Sequence, residues 1–212
     1  MLSAYLKEES IFVDIGSNIG YRCIGITELT KCKVYGFEPN PDHFVLSAFN
    51  CQGKPIKLFH SALSGTKGTV KLPNDIEVPC KKLDDITEIT EKIDAIKITT
   101  NGYEFEILKG SSKLIKKDRP IIMYHAMDMA IWSECYDFLK TKKYKQYWVT
   151  CLTKPIGENF KKVSEDLFGK AGISSILAVP EEKMQPNDLV EVLAGEDYSS
   201  TVQRLANYKI LF

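Results

Sequence analysis

The sequence lacks the features that would place it in several large protein classes. It has no excess of either charge: Lys+Arg and Asp+Glu both number 28. No global field therefore favours nucleic acid or an anionic membrane surface. No apolar run approaches the ~18 residues that a membrane span requires, and the opening MLSAYLKEES has no signal-peptide core. The cysteines (Cys23, Cys32, Cys51, Cys80, Cys135 and Cys151) form no C-x-x-C pair, and no histidine stands beside them at zinc-finger spacing. That pattern suits reduced thiols in a cytoplasmic protein better than a disulfide scaffold or structural zinc. A G-x-G-x-x-G dinucleotide loop is also missing. Counting from Gly16, the other two glycine positions hold Asn18 and Tyr21, which argues against NAD.

What is present is regular alternation. The chain has 212 residues with 44% hydrophobic content, enough for a single domain over 1–212 with a substantial core. IFVDIG (Ile11 to Gly16), KVYGFEP (Lys33 to Pro39) and IKLFHSAL read as the first three strands. Helices fit Ile19 to Leu29 and Pro41 to Asn50. GTVKL-PND-IEVPC reads as a β-hairpin turning at Pro73, Asn74 and Asp75. A short helix is expected over Leu83 to Glu91, then the strand DAIKI, a helix from Tyr103 to Lys116 and the strand PIIMYHA. A helix from Met129 to Thr141 precedes the last two strands, YKQYWVTCL and SSILAVP. Repeated β-α-β order implies an α/β, doubly wound, Rossmann-like sheet with right-handed crossovers. The polar tail from Glu181 onward has no clear assignment.

Two segments carry candidate cofactor chemistry. DIGSNIG, Asp14 to Gly20, joins the first strand to the first helix, where glycines let backbone approach a ligand. It fits the looser D-x-G-x-(G/N)-x-G turn of S-adenosylmethionine enzymes. Glu38 ends the second strand, at about the distance from that turn where an acid can accept both ribose hydroxyls.

FVDIGSNIGY, YGFEPNP, HSALSGTKG, LDD and IKITTNGYEFEILKG followed by RPIIMYHA resemble, in order, the motifs of the FkbM-type S-adenosylmethionine-dependent methyltransferases. The resemblance runs from about Ile11 to Ala126. It implies the class I methyltransferase fold, seven strands with the last antiparallel, and O-methylation of acceptors such as sugars or polyketides. By motif it places Asp14, Gly16, Ser17, Asn18 and Gly20 around the methionine end of S-adenosylmethionine. It places Glu38 on the ribose, Pro39 beside the adenosine, and Ser61 with Ala62 near the adenine. Asp84 and Asp85 match the family's L-D-D and are expected to cap the following helix.

The acceptor half departs from the pattern. Where the family usually has I-K-I-D-x-E-G-Y-E and a glutamate ending the fifth strand, this chain has Thr99, Asn101 and His125. Divalent cations with a hard-oxygen preference want carboxylates at such positions, so no metal is expected. An alcohol acceptor still needs a base, worth about 10²–10⁴-fold in rate, and His125, after the apolar run IIMY, is the candidate. Lys97, on a buried strand, must reach a carboxylate or point into the site, because an unpaired buried ammonium is costly; it is the second catalytic candidate. Thr99 and Asn101 offer neutral hydrogen bonds suited to a sugar. Tyr124, with Tyr103 and Trp132, could stack on a pyranose face.

The expectation is a metal-independent sugar or glycan O-methyltransferase with a His base, in contact with neither nucleic acid nor a membrane span. The alternatives are a catalytically silent S-adenosylmethionine-binding module and methylation of a lipid-linked or polyketide hydroxyl. The short lead before the first strand points to a domain excised from a longer protein, fused to other glycan-modifying domains, or to an open acceptor end partly covered by the tail from Glu181.

Overall fold

The computed structural model describes residues 2–72, 75–125, 129–152, 172–194 and 196. Ten strands and five α-helices alternate along them. β1 (Ile11–Ile15), β2 (Lys33–Phe37), β3 (Ile56–Phe59), β7 (Ala95–Ile98), β8 (Ile121–His125), β9 (Tyr144–Leu152) and β10 (Gly172–Pro180) form one sheet in the order β3-β2-β1-β7-β8-β10-β9. The pairs from β3 through β8 are parallel, and β10 runs antiparallel to both β8 and β9. This is the seven-stranded class I methyltransferase arrangement. Placing β1 beside both β2 and β7 brings their carboxyl ends to one edge, where α/β folds bind ligands.

The helices are α1 (Tyr21–Thr30), α2 (Pro41–Asn50), α3 (Glu104–Gly110), α4 (Ser112–Asp118) and α5 (Met129–Thr141). Strand residues alternate between two cores. Val13, Ile15, Ile96, Ile98 and Tyr124 pack on the side of α3 and α5, with Ile107, Trp132 and Leu139. Phe12, Val34, Ala95 and Ile121 pack on the other side, with Cys23 of α1 and Leu2 of the N-terminal 3-10 turn. Every residue of β1 and of β7 is buried, which marks strands covered on both faces.

Several elements differ from expectation. IKLFHSAL splits: β3 stays in the main sheet, while β4 (Ala62–Leu63) leaves it to pair with β6 (Glu77–Lys81), itself antiparallel to β5 (Gly68–Lys71). The expected hairpin is present, although Pro73 and Asn74 lie outside the described residues. The helix expected over 83–91 is only a 3-10 turn, Leu83–Asp85. The helix expected over 103–116 is two helices meeting at Ser111, whose hydroxyl donates to Ile107 O at 2.7 Å. Gly110 marks the junction because a Cβ there would lie 2.0 Å from Ser64 O. Asp84 does cap a helix, but a distant one: its carboxylate accepts from Lys113 N (3.0 Å) and Leu114 N (2.8 Å) of α4. The described part of the tail runs beside β9, with Trp148 N donating to Val190 O and Val192 N to Gln146 O. Arg119 anchors its start through Glu182 and the carbonyls of Lys142 and Lys143.

A buried ion pair crosses this apolar interior. Asp14 and Lys97 are register partners on β1 and β7, and Lys97 Nζ donates to Asp14 Oδ1 at 3.0 Å. Asp14 is fully buried and Lys97 nearly so. Removing one member of such a pair strands the other charge. Lys97→Ala should lower the unfolding free energy in urea by about 3–5 kcal/mol, whereas the double change Asp14→Leu with Lys97→Met should cost far less.

Candidate active site

A cavity of about 670 Å³ opens at the carboxyl ends of β1, β2 and β7. Its base is the loop after β1. Gly16 and Gly20 sit at φ 77 and 84, and Asn18 between them at φ 51. Gly16 has a second reason to be glycine: a Cβ there would lie 2.1 Å from Thr99 O, so the loop after β1 packs directly on the loop after β7. The amides of Gly16 and Ser17 both donate to Phe37 O, at 2.9 and 3.0 Å, which ties the same turn to β2.

Glu38 is held from two sides. Its Oε2 accepts from Asn18 N at 2.7 Å and its Oε1 from Asn40 N at 2.8 Å. An ionised carboxylate has about four acceptor positions, so each oxygen keeps capacity for a further hydroxyl. Asn40 in turn caps α2, accepting from Asp42 N and His43 N, and Pro41 at the first helical position suits that start. His43 Nδ1 lies 3.9 Å from Glu38 Oε1. Beyond Glu38 the wall turns apolar, with Phe37, Ala62, Leu63, Val70 and Leu72. The opposite wall is the neutral loop Thr99, Thr100 and Asn101, with Tyr103.

The sequence candidates therefore divide. Gly16, Asn18, Glu38, Pro39, Ser61, Ala62, Thr99 and Asn101 line this one cavity. Asp14, Ser17 and Gly20 do not: Asp14 lies beneath the loop, paired with Lys97 and accepting from Cys23 Sγ at 3.4 Å. Ser17 is buried, its hydroxyl without a partner among the described residues, and Gly20 packs on Cys51 and Ser47. Lys97 reaches the Asp14 carboxylate rather than the cavity. Tyr124 also stays out of it; fully buried, its hydroxyl donates to Gln146 Oε1 at 2.9 Å. Its position after Met123 turns it to the α5 side of the sheet, away from the strand's open end. His43, half exposed on α2, also lines the cavity, as do Val70, Lys71 and Leu72 of the hairpin. The i, i+2 spacing of Val70 and Leu72, repeated on the other arm by Ile76, Val78 and Cys80, signals the hairpin's apolar face.

His125 ends β8, outside the cavity lining. Both of its ring nitrogens are buried, and neither has a hydrogen-bond partner among the described residues. Burial lowers its pKa, Glu104 opposes that shift and Lys97 adds to it. The imidazole is thus biased toward its neutral, proton-accepting form. The described buried cysteines Cys23, Cys32, Cys51, Cys80 and Cys135 are free thiols whose pKa values burial raises, which makes them poor nucleophiles.

Comparison with known proteins gives this geometry a family. Residues 14–145 match the Methyltransferase FkbM domain. The hexuronic acid methyltransferase AglP of Haloferax volcanii is 29% identical over a 137-residue alignment that covers 55% of this chain and 56% of that protein. The chain thus spans about half the length of that curated relative. Among solved structures, methyltransferase FkbM from Methylobacillus flagellatus superposes with a TM-score of 0.58 at 18% identity, over 81% of this chain and 44% of that one. Precorrin-6y C5,15-methyltransferase from Geobacter metallireducens superposes with a TM-score of 0.59 at 14% identity, over 84% of this chain and 85% of that one. At those identities the two structures speak for the fold, while the domain match covers most of the chain, including the loop after β1, Glu38 and the loop after β7: the protein belongs to the FkbM methyltransferase domain family.

Proposed function

We propose that the chain is an S-adenosylmethionine-dependent O-methyltransferase acting on a sugar hydroxyl without a metal, with His125 as general base. The observation that carries the cofactor half is Glu38, a carboxylate on the cavity wall clamped by two backbone amides with acceptor capacity left on both oxygens. A ribose diol is the ligand group that such a carboxylate suits. Ser61 and the apolar wall from Phe37 to Leu72 suit an adenine ring, and Gly16 with Asn18 suits the methionine end. When bound, S-adenosylmethionine supplies an electrophilic methyl group.

The acceptor half rests on the residues after β7 and on β8. Thr99 and Asn101 give and accept hydrogen bonds without charge, which fits a neutral hydroxyl better than an amine, and offer no carboxylate for a divalent cation. His125 is to take the hydroxyl proton. A base must be neutral to act, and burial together with Lys97 keeps it so. The sugar class draws support from the hexuronic acid methyltransferase relative.

The alternative of a silent binding module has one observation behind it: neither His125 nor Lys97 lines the cavity. Labelled S-adenosylmethionine incubated with a panel of glycosides separates the two. Methylated sugar supports the enzyme; tight cofactor binding with no product on any glycoside supports the module.

Calorimetry tests the cofactor assignment. S-adenosylmethionine and S-adenosylhomocysteine should bind and NAD should not. Glu38→Ala should weaken both by at least about tenfold, the equivalent of ~1.4 kcal/mol; tight NAD binding alone would overturn the reading. His125→Ala should lower kcat by about 10²–10⁴-fold. The direction of the His125 shift sets the pH profile. Its folded pKa lies below the ordinary ~6.5, so base-dependent turnover should be level through neutral pH and fall only on the acid side of the ordinary histidine range. A rate that still climbs steeply between pH 7 and pH 8 would exclude His125.

A further inference from the structure

The loop that forms the neutral wall of the cavity does not hold its own shape. Asn101 lies at φ 51 and Gly102 at φ 116, and the first of these is a left-handed conformation that asparagine tolerates at some cost. Tyr103, which precedes α3, provides no side-chain cap. What shapes the turn is Glu104, the first residue of α3, whose side chain reaches back over it. Glu104 Oε1 accepts from Thr100 N at 3.0 Å and from Thr100 Oγ1 at 3.2 Å, and Oε2 accepts from Gly102 N at 2.8 Å. The side chain is buried. Bonds to a carboxylate are roughly twice as strong as neutral ones, and the helix N-terminus favours negative charge there.

The clasped loop is fixed on its other side as well. Thr99 N donates to Ile15 O at 2.9 Å, and Thr99 O lies where a side chain on Gly16 would have to go. Glu104 therefore sets one wall of the cavity against the loop that forms its base, although it does not line the cavity itself. Among the described residues, the charged groups that act on His125 are Glu104 from α3, which raises its pKa, and Lys97 from β7, which lowers it. The register partner of His125 on β10 is Ser175, which carries no charge. Lys97 is committed to Asp14, and Cys135 of α5, which also feels Glu104, is a neutral thiol.

We propose that Glu104 is the positioning residue of the acceptor end: its carboxylate clasps residues 99–102 against Gly16 and supplies the fixed negative charge beside which His125 can carry a proton. This rests on the reading of His125 as base and of the cavity as the cofactor site. The loss of acids at Thr99 and Asn101 then has a consequence. Among the described residues Glu104 is the carboxylate that acts on His125, and its three hydrogen bonds assign it to architecture and electrostatics rather than to the ligand.

Glu104→Gln and Thr100→Val in the full chain separate the two parts. In Glu104→Gln the NMR titration midpoint of His125 should fall, because the charge that raises it is gone. Amide exchange at Thr100 and Gly102 should accelerate at least about tenfold. Turnover on a methyl hexuronoside should drop at least about tenfold in kcat, with the Kd for S-adenosylhomocysteine, by calorimetry, within about threefold of the parent. Thr100→Val keeps the charge and loses one clasp bond, so exchange should accelerate while the His125 midpoint stays put; it also keeps the clasp testable if Glu104→Gln does not fold. An unmoved His125 midpoint in Glu104→Gln overturns the electrostatic part, and unchanged exchange in both variants overturns the clasp. If His125→Ala methylates at full rate, the base reading fails, but the exchange and titration results still decide what Glu104 does. If S-adenosylhomocysteine binds neither parent nor variant, the cofactor reading fails, and the same two measurements again stand alone.

Discussion

The contact between Asp14 and Lys97 organises the catalytic end of this sheet. Two charges brought into a hydrocarbon interior lose hydration worth several kcal/mol each, and only close pairing offsets it. Here the pairing is imposed by register: the two residues face each other across β1 and β7, the strands whose carboxyl ends carry the loops of the site. A slip of one residue between these strands would turn one charge to the opposite face and leave both unpaired. The pair therefore pins the relative height of the Gly16 and Thr99 loops, which touch so closely that Gly16 can carry no side chain.

A hierarchy of polar contacts builds outward from that pin. Cys23 of α1 donates to the other oxygen of Asp14, Phe37 O takes the amides of Gly16 and Ser17, and Glu38 takes those of Asn18 and Asn40. Each contact joins a different pair of elements at one edge of the sheet. The outcome is a preorganised cavity in which most backbone donors are already committed, and recognition falls to side-chain oxygens and apolar walls. Such a site can hold a nucleoside by its diol and ring while leaving the reacting end open.

Much of this was legible in the sequence because it depends on local chemistry. The strand runs, the glycine positions, Glu38 and the L-D-D segment all mark backbone geometry that few residues can satisfy. What stayed hidden depends on contacts between distant segments. Nothing in IKLFHSAL says that the strand must break at His60 so that Ala62 and Leu63 can join a second sheet. Nothing near Gly110 says that Ser64 O will lie where a side chain would go. Tyr124 shows the limit most simply. As an aromatic at a strand's open end it suits a sugar, but strand alternation turns it to the interior, where Gln146 satisfies its hydroxyl. Lys97 reads two ways in sequence because its partner lies 83 positions away.

The departures from the family pattern gain meaning from this arrangement. A wall with acids at the positions of Thr99 and Asn101 would place negative charge beside a carboxylate, Glu104, that is already buried, and like charges in a poorly solvated site raise each other's pKa values. Neutral residues there remove that conflict and leave Glu104 free to serve as a hydrogen-bond acceptor for the loop. The same exchange changes what the end of β8 must be. On the proposed reading, a proton taken from an acceptor would pass to His125, where a carboxylate of ordinary pKa would hold it poorly at neutral pH. Burial lowers the His125 pKa and Glu104 opposes that shift. In that reading the neutral wall and the histidine are two parts of one adjustment.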